Sequence, residues 1–363
     1  MHGRDLEMLK PYRTILSSIE RPNQLSVIVP IYNGVKQGLK TCLTSLVEQT
    51  FNDMDVICID DYSSDNSVNT ARVILEKRGW ELIKNNRNFG LAATLNNGIK
   101  HSQSAFVMIL QQDCYLIDKK SIEMALLEFE KDKTIGVIVG KQKYDFNNLN
   151  FYQKVMEFRL EHFYLNLTGE KYIDLTENKC DIIKRDALSK IGLFEESLRI
   201  SGEDQVFSAK MRSQGYKILL SDKLLYRNSL QGESTFFGAL RKEIVYGKYS
   251  LLLLLKLKNT PSKSNKNYKQ RKYSNKILSV VFSTTLGLSL LVSFLFNFTW
   301  GYSIGLMALL LRGSNILLRF RRLKKFEKEI KLSKIKTVLF SFLLDFIFTL
   351  SLIYGAFKAI FIP

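Results

Sequence analysis

From Leu25 onward, short unbroken apolar runs alternate with longer stretches of helical spacing. SVIVPIY (Ser26–Tyr32), DVICID (Asp55–Asp60), Trp80–Lys84 and Phe106–Leu110 predict strands. Leu39–Gln49, Ser67–Arg78 and Leu91–His101 space their apolar residues as one face of a helix. The strand runs do not alternate apolar with polar, so both of their faces are covered. A βαβαβαβ order of this kind predicts an α/β fold with a mostly parallel sheet and helices on both faces. Sheets of that class take ligands beyond the carboxyl ends of their strands.

The pattern changes after residue 235. Phe236–Lys258 has the length and composition of one or two helices in a membrane interface, or of a soluble helix packed on the sheet. Ile277–Phe296 then runs for twenty residues without a charge, enough to cross about 30 Å of hydrocarbon as a helix. Further apolar runs cover Tyr302–Leu318, with Arg312 near its end, and Thr337–Ile360, interrupted by Asp345. A carboxylate in mid-span must face a partner or a wet cavity. The expected organisation is a leader at 1–24, an α/β domain at 25–235, an interfacial helix and basic linker at 236–276, and a membrane domain at 277–363. Its three spans are set at 277–297, 301–318 and 337–360.

Charge supports this division. The formal net charge is +18, yet residues 256–276 and 319–336 together carry +15 of it. Two basic segments beside apolar runs are the pattern of cytoplasmic membrane loops, not a diffuse nucleic-acid footprint. Three spans then leave the N-terminal domain on the cytoplasmic side of a cell membrane. Residues 1–24 are charged and lack the apolar core of a signal peptide. Cys42, Cys58, Cys114 and Cys180 show no CxxC spacing and read as small core residues. Three spans are too few for a transporter core, and no nucleic-acid partner is expected.

Candidate chemistry sits at the strand ends: Tyr32, Asn33 and Gly34; Asp60, Asp61, Ser63, Ser64 and Asp65; Asn85–Asn88 and Gly90; Gln111 and Asp113. One such loop is ordinary turn and cap chemistry. Four in register point to a ligand site. The first strand is not followed by GxGxxG, and no GxxxxGK[ST] occurs, which argues against a dinucleotide dehydrogenase and a P-loop kinase.

SVIVPIYNG, VICIDDYSSDNS, NRNFGLAATLNNGI, the strand ending in QQD, CDIIKRDALSKIGLFEE and ISGEDQVFSAKMRSQGYKILL follow one another in an order that resembles family 2 glycosyltransferases of the GT-A fold. The resemblance is to rhamnosyltransferase-like or exopolysaccharide glycosyltransferase-like members with C-terminal transmembrane helices. The resemblance covers about residues 25–235. It implies transfer of a sugar from a nucleoside diphosphate sugar to an acceptor hydroxyl with inversion, in cell-envelope polysaccharide biosynthesis.

By this resemblance Asp204 is the base and Glu203 orients the site or contacts the acceptor. Pro30 and Tyr32 flank the nucleobase. Asp61 binds base and ribose, and Asn88 and Gly90 open a helix near the nucleotide. The family pattern Asp-x-Asp holds Mg²⁺ or Mn²⁺ on the diphosphate. Here Gln111 replaces the first acid, Asp113 keeps the second, and Asn228 stands near a position where many members have His. The metal site is therefore expected to be weakened, with Arg227 a candidate for neutralising the diphosphate. The acceptor is expected to be lipid-linked or a glycan precursor. The Gln-x-x-Arg-Trp motif of processive synthases does not occur, which favours single-sugar transfer. The alternative is a catalytically weak GT-A domain serving as a membrane-bound binding or scaffold subunit.

Overall fold

The computed structural model describes residues 12–16, 24–160, 171–260, 269–296, 299–322 and 331–361. In chain order the elements are β1 (Tyr12–Leu16), β2 (Leu25–Ile31), α1 (Leu39–Val47), β3 (Met54–Asp60), α2 (Ser67–Leu75), β4 (Glu81–Asn85), α3 (Leu91–His101), β5 (Phe106–Leu110) and β6 (Cys114–Leu116). There follow α4 (Ser121–Leu126), α5 (Glu128–Lys131), β7 (Ile135–Gln142), α6 (Phe151–Leu160), β8 (Lys171–Ile173), β9 (Cys180–Lys184), α7 (Arg185–Ile191), α8 (Glu203–Ser213) and β10 (Lys217–Asn228). Four long helices complete the chain: α9 (Phe236–Lys258), α10 (Lys269–Phe296), α11 (Thr299–Arg322) and α12 (Lys334–Phe361).

The chain divides into two compact units. One comprises 1–144, 163–231 and 255–263; the other comprises 145–162, 232–254 and 264–363. Residues 145–162 were expected in the α/β domain, but they group with the C-terminal helices.

The first unit holds one sheet in the order β1-β4-β3-β2-β5-β9-β7-β10-β6, with β8 also paired to β10. The four strands read from the apolar runs are parallel to one another: β4 with β3, β3 with β2, and β2 with β5. The later strands mix the sheet. β9 runs antiparallel to β5 and β7, β10 lies parallel to β7, and β6 and β8 lie antiparallel to β10. Residues 12–16, expected as part of a leader, form an edge strand antiparallel to β4.

All seven residues of β2 are buried, because both faces are covered. One face packs Leu39, Leu43 and Leu46 of α1 against Val27, Val29, Cys58 and Met108. The other packs Leu95 and Ile99 of α3, and Phe207 and Met211 of α8, against Ile28, Ile57, Val137 and Val139. Gly98 lets α3 approach, since a Cβ there would lie 2.5 Å from Cγ2 of Ile28. The four cysteines are free and buried, as small core residues should be.

This topology fixes the site. β7 opposes β9, which opposes β5, so β7 runs with β5, and β10 runs with β7. The carboxyl ends of β2, β3, β4, β5, β7 and β10 therefore share one edge with the first residues of β6 and β9.

In the second unit, α9 buries Ala239, Glu243, Gly247, Ser250 and Leu253, a stripe of mostly small residues. It crosses α12 at close range. A Cβ on Gly247 would lie 2.5 Å from the Phe348 carbonyl oxygen, and one on Gly355 would strike the Lys248 carbonyl. Small residues permit this approach between apolar helices. Helical segments Trp300–Arg321 and Lys334–Phe357 are long and apolar enough to cross a membrane, by length and composition. The first expected span lies in α10, whose described apolar part, Val280–Leu295, is shorter. Asn297 and Phe298, and the basic stretches 261–268 and 323–330, lie outside the described residues.

The charges expected to be costly in these spans meet each other. Asp345, fully buried, accepts hydrogen bonds from Arg312 Nε at 2.7 Å and Nη2 at 3.1 Å. Arg159 of α6 donates to the same carboxylate at 3.0 Å and contacts Glu243 of α9 at 3.1 Å.

Candidate active site

The end of β2 is shaped by Gln112, the middle residue of QQD. Its Oε1 accepts the Tyr32 N–H at 2.9 Å, and its Nε2 donates to the Tyr32 carbonyl at 2.9 Å. Nε2 also reaches Gln37 Oε1 at 3.1 Å. Gly34 is required beside it, because a Cβ there would overlap the Gln112 amide. Asn33 has φ 48°, and its Oδ1 accepts the Ser64 N–H at 2.9 Å. Pro30 is buried within β2 opposite Ile59. Of the two residues expected beside a nucleobase, only Tyr32, 42% exposed, offers its ring at the surface.

Asp61 faces the loop after β4. Oδ1 accepts the Phe89 N–H at 2.8 Å and Asn85 Nδ2 at 2.9 Å, and Oδ2 accepts the Gly90 N–H at 2.8 Å. Gly90 (φ 93°) caps α3 at its N-terminus. Arg199 grips the same loop from the other side, on its carbonyls. Nε donates to the Phe89 carbonyl at 3.2 Å, and Nη2 to the Asn88 carbonyl at 3.0 Å and Asn88 Oδ1 at 3.2 Å. The Arg199 carbonyl accepts the Ala92 N–H at 3.0 Å. A Cβ on Gly90 would come within 3.0 Å of Arg199, so glycine serves both the positive φ and the close approach. Arg199 itself has φ 28°, a conformation that non-glycine residues rarely adopt.

Five residues beyond Arg199 lies Asp204. Glu203 and Asp204 open α8 after Gly202 (φ 97°), where the helix dipole favours carboxylates. Glu203 is buried and accepts Asn178 Nδ2 at 3.4 Å; Asp204 is half-buried and its Oδ1 accepts the Gln205 N–H at 2.8 Å. Asn178, buried with φ 52°, also gives its N–H to Asp181 Oδ2 at 2.9 Å. Burial pushes the Asp181 carboxyl up to about 7, with Glu177 and Asp204 adding to the rise.

At the β6 end, Asp113 precedes Cys114, which pairs with Asn228 of β10. Asn228 Nδ2 reaches Cys114 Sγ at 3.4 Å, and its Oδ1 accepts the Leu230 N–H at 2.7 Å. Gln111 is half-buried, its N–H bound to the Lys179 carbonyl at 2.9 Å. The sheet thus brings Tyr32, Asp61, Asn88, Gly90, Gln111, Asp113, Arg227 and Asn228 to one edge, with Glu203 and Asp204 on the helix beside it.

Residues 26–192 match the model of the family described as Glycosyl transferase family 2. Residues 26–192 are thus similar to a family 2 glycosyl transferase domain. Over 228 residues it is 24% identical to Glycosyltransferase GlyA of Streptococcus pneumoniae serotype 4, a match covering 57% of this chain and 30% of that protein. Over 131 residues it is 31% identical to Glycosyltransferase GlyG of the same organism, covering 35% of this chain and 42% of that one. The matches thus span less than half the length of either relative. A mannosyltransferase from Pyrobaculum calidifontis, solved in complex with GDP-Man and Mn²⁺, superposes with TM-score 0.57 at 15% identity, covering 98% of this chain and 92% of that one. At that identity the likeness shows the GT-A fold.

The donor set at this edge is a poor match to a protein-held metal. Mg²⁺ and Mn²⁺ prefer charged oxygen ligands. Asp113 is the one carboxylate in the 111–113 strand end. Gln111 offers a neutral amide, and the Asn228 amide oxygen is engaged by Leu230. Among the described residues no group of three or more His, Cys, Asp or Glu forms a metal site. Asp113 could still touch a cation carried by a diphosphate. Reading strand ends found most of this edge. It missed Gln112 and Arg199, whose partners lie eighty or more positions away, and the Asn178–Asp181 turn beside Glu203.

Proposed function

We propose that the chain is an inverting glycosyltransferase that moves one sugar from a nucleoside diphosphate sugar to an acceptor hydroxyl. The observation that supports this reading best is the junction at Arg199. A loop gripped by Asp61 on its N–H groups is held through Arg199 to the segment that delivers Asp204. Donor loop and acceptor base are thereby tied into one edge.

In this reading Asp204 takes the proton of the acceptor hydroxyl. The oxygen attacks the anomeric carbon from the face opposite the diphosphate. The bond from that carbon to the diphosphate oxygen breaks, and its electron pair leaves with the diphosphate. A carboxylate within hydrogen-bond reach suits the first step. Glu203, fixed by Asn178, orients the acceptor. Tyr32 stacks on the base, and Asp61 holds the 85–90 loop against the nucleoside. Three spans, in α10, α11 and α12, anchor the chain in a membrane and leave both basic loops on its cytoplasmic side, which suits a lipid-linked or cell-surface glycan acceptor.

Gln111 and the engaged Asn228 amide favour a second reading, a binding or scaffold subunit without turnover. Nucleotide release from a panel of UDP-, GDP- and dTDP-sugars, with Mn²⁺, Mg²⁺ or EDTA and a mixed lipid-linked acceptor fraction, separates the two. Acceptor-dependent release from one donor supports the enzyme. Tight nucleotide binding with no release under any condition supports the scaffold.

A further inference from the structure

The residues of β7 that face α8 are Val137 and Val139, and the row continues with Lys141 at the site edge; Lys143 follows just past the strand, its N–H on the Tyr226 carbonyl at 2.8 Å. Gln142 between them points the other way, to Tyr226 Oη at 3.4 Å. On the neighbouring strand Tyr226 belongs to the core of that other face, so Arg227 points with the lysines. Lys141 pairs with Leu225, Gln142 pairs with Tyr226, and Arg227 pairs with Tyr115 of β6, one residue from Cys114. Three cations therefore share one face and one edge, beside the strand start that carries Asp113.

Lys143 is exposed, but two observations show that the charges of Arg227 and Lys141 are not simply solvated. The Arg227 Nε–H is buried and has no hydrogen-bond partner among the described residues. Burial and the neighbouring Lys143 hold the Lys141 ammonium below its ordinary range. A buried N–H donor without an acceptor is destabilising until a ligand supplies one.

We propose that Arg227, Lys141 and Lys143 form a phosphate-binding subsite, which supplies to a diphosphate the positive charge that Gln111 and Asn228 cannot recruit through a metal. The inference rests on the glycosyltransferase reading, which places a diphosphate at this edge. The diphosphate belongs either to the donor or to a lipid-linked acceptor, and the chemistry recognised is the same.

The test uses the full chain in detergent with EDTA. Binding of UDP, GDP and dTDP, of the matching nucleosides, and of geranyl diphosphate is measured for wild type, Arg227→Gln and the Lys141→Gln/Lys143→Gln pair. Thermal unfolding confirms that each variant is folded. The expected result is a tenfold or greater loss of affinity for the preferred nucleoside diphosphate, with nucleoside affinity changed less than twofold. A loss confined to geranyl diphosphate assigns the same subsite to the acceptor. Phosphate-bearing probes that bind every variant within twofold of wild type overturn the inference alone. Wild type that binds no nucleoside diphosphate brings down the glycosyltransferase reading, and the inference with it.

Discussion

Replacing Asp345 by alanine removes the carboxylate that two guanidiniums share. Arg312 is 4% exposed and Arg159 nearly as buried; their contacts to Asp345 measure 2.7 and 3.0 Å. Arg159 retains Glu243, but Arg312 is left as a buried charge among apolar helices. Breaking a buried pair from one side destabilises by about 3–5 kcal/mol, because the remaining charge is uncompensated. With a Tm change of roughly 2–4 °C per kcal/mol for domains of this size, the variant should unfold about 6–20 °C lower. Tryptophan fluorescence of detergent-solubilised protein reads this directly. The Asp345→Leu/Arg312→Met double variant should regain much of the loss, since packed apolar residues can replace a buried ion pair. An Asp345→Ala protein that melts within 2 °C of wild type would refute the reasoning.

The other predictions concern the helix crossing and the site edge. Gly355→Val places side-chain atoms against the Lys248 carbonyl, and overpacking of this kind should destabilise by about 1–3 kcal/mol, seen as a lower unfolding midpoint. Arg199→Ala releases the Asn88 and Phe89 carbonyls and should weaken nucleotide binding about tenfold, with Arg199→Lys intermediate; calorimetric titration measures both. Asp181 has a carboxyl raised to about 7 by burial, so the folded state holds its proton more tightly than the unfolded chain does. Its contribution is therefore most favourable below about pH 4 and declines as pH rises toward 7, by up to about 4 kcal/mol. Unfolding midpoints from pH 5 to 8 should fall less steeply in Asp181→Asn than in wild type.

The strand ends were legible because an apolar run that stops at polar residues marks both a strand and its edge. Asp61, Gln111 and Asp113 were found in this way, whereas Glu203 and Asp204, at the start of a helix, came from the family resemblance. Gln112 was not found, because its role is to hold the Tyr32 backbone, eighty positions away. Arg199 carries no such signal, because its partners at Asn88 and Phe89 lie more than a hundred positions away. Asp345 raised a question in the sequence that only its partners on α6 and α11 answer. Strands β2 to β5 announced a parallel sheet, whereas β6 and β8, of three residues each, are too brief to show a period. Residues 12–16 lacked any local signal of the edge that pairs with β4.

The most direct test of the central claim is acceptor-dependent sugar transfer by Asp204→Asn, with nucleotide binding measured on the same protein. The account predicts transfer at least a hundredfold slower, roughly the lower bound for losing a general base, with nucleotide affinity kept within twofold. Transfer at the wild-type rate with binding intact would contradict it and move the base to another residue of the edge.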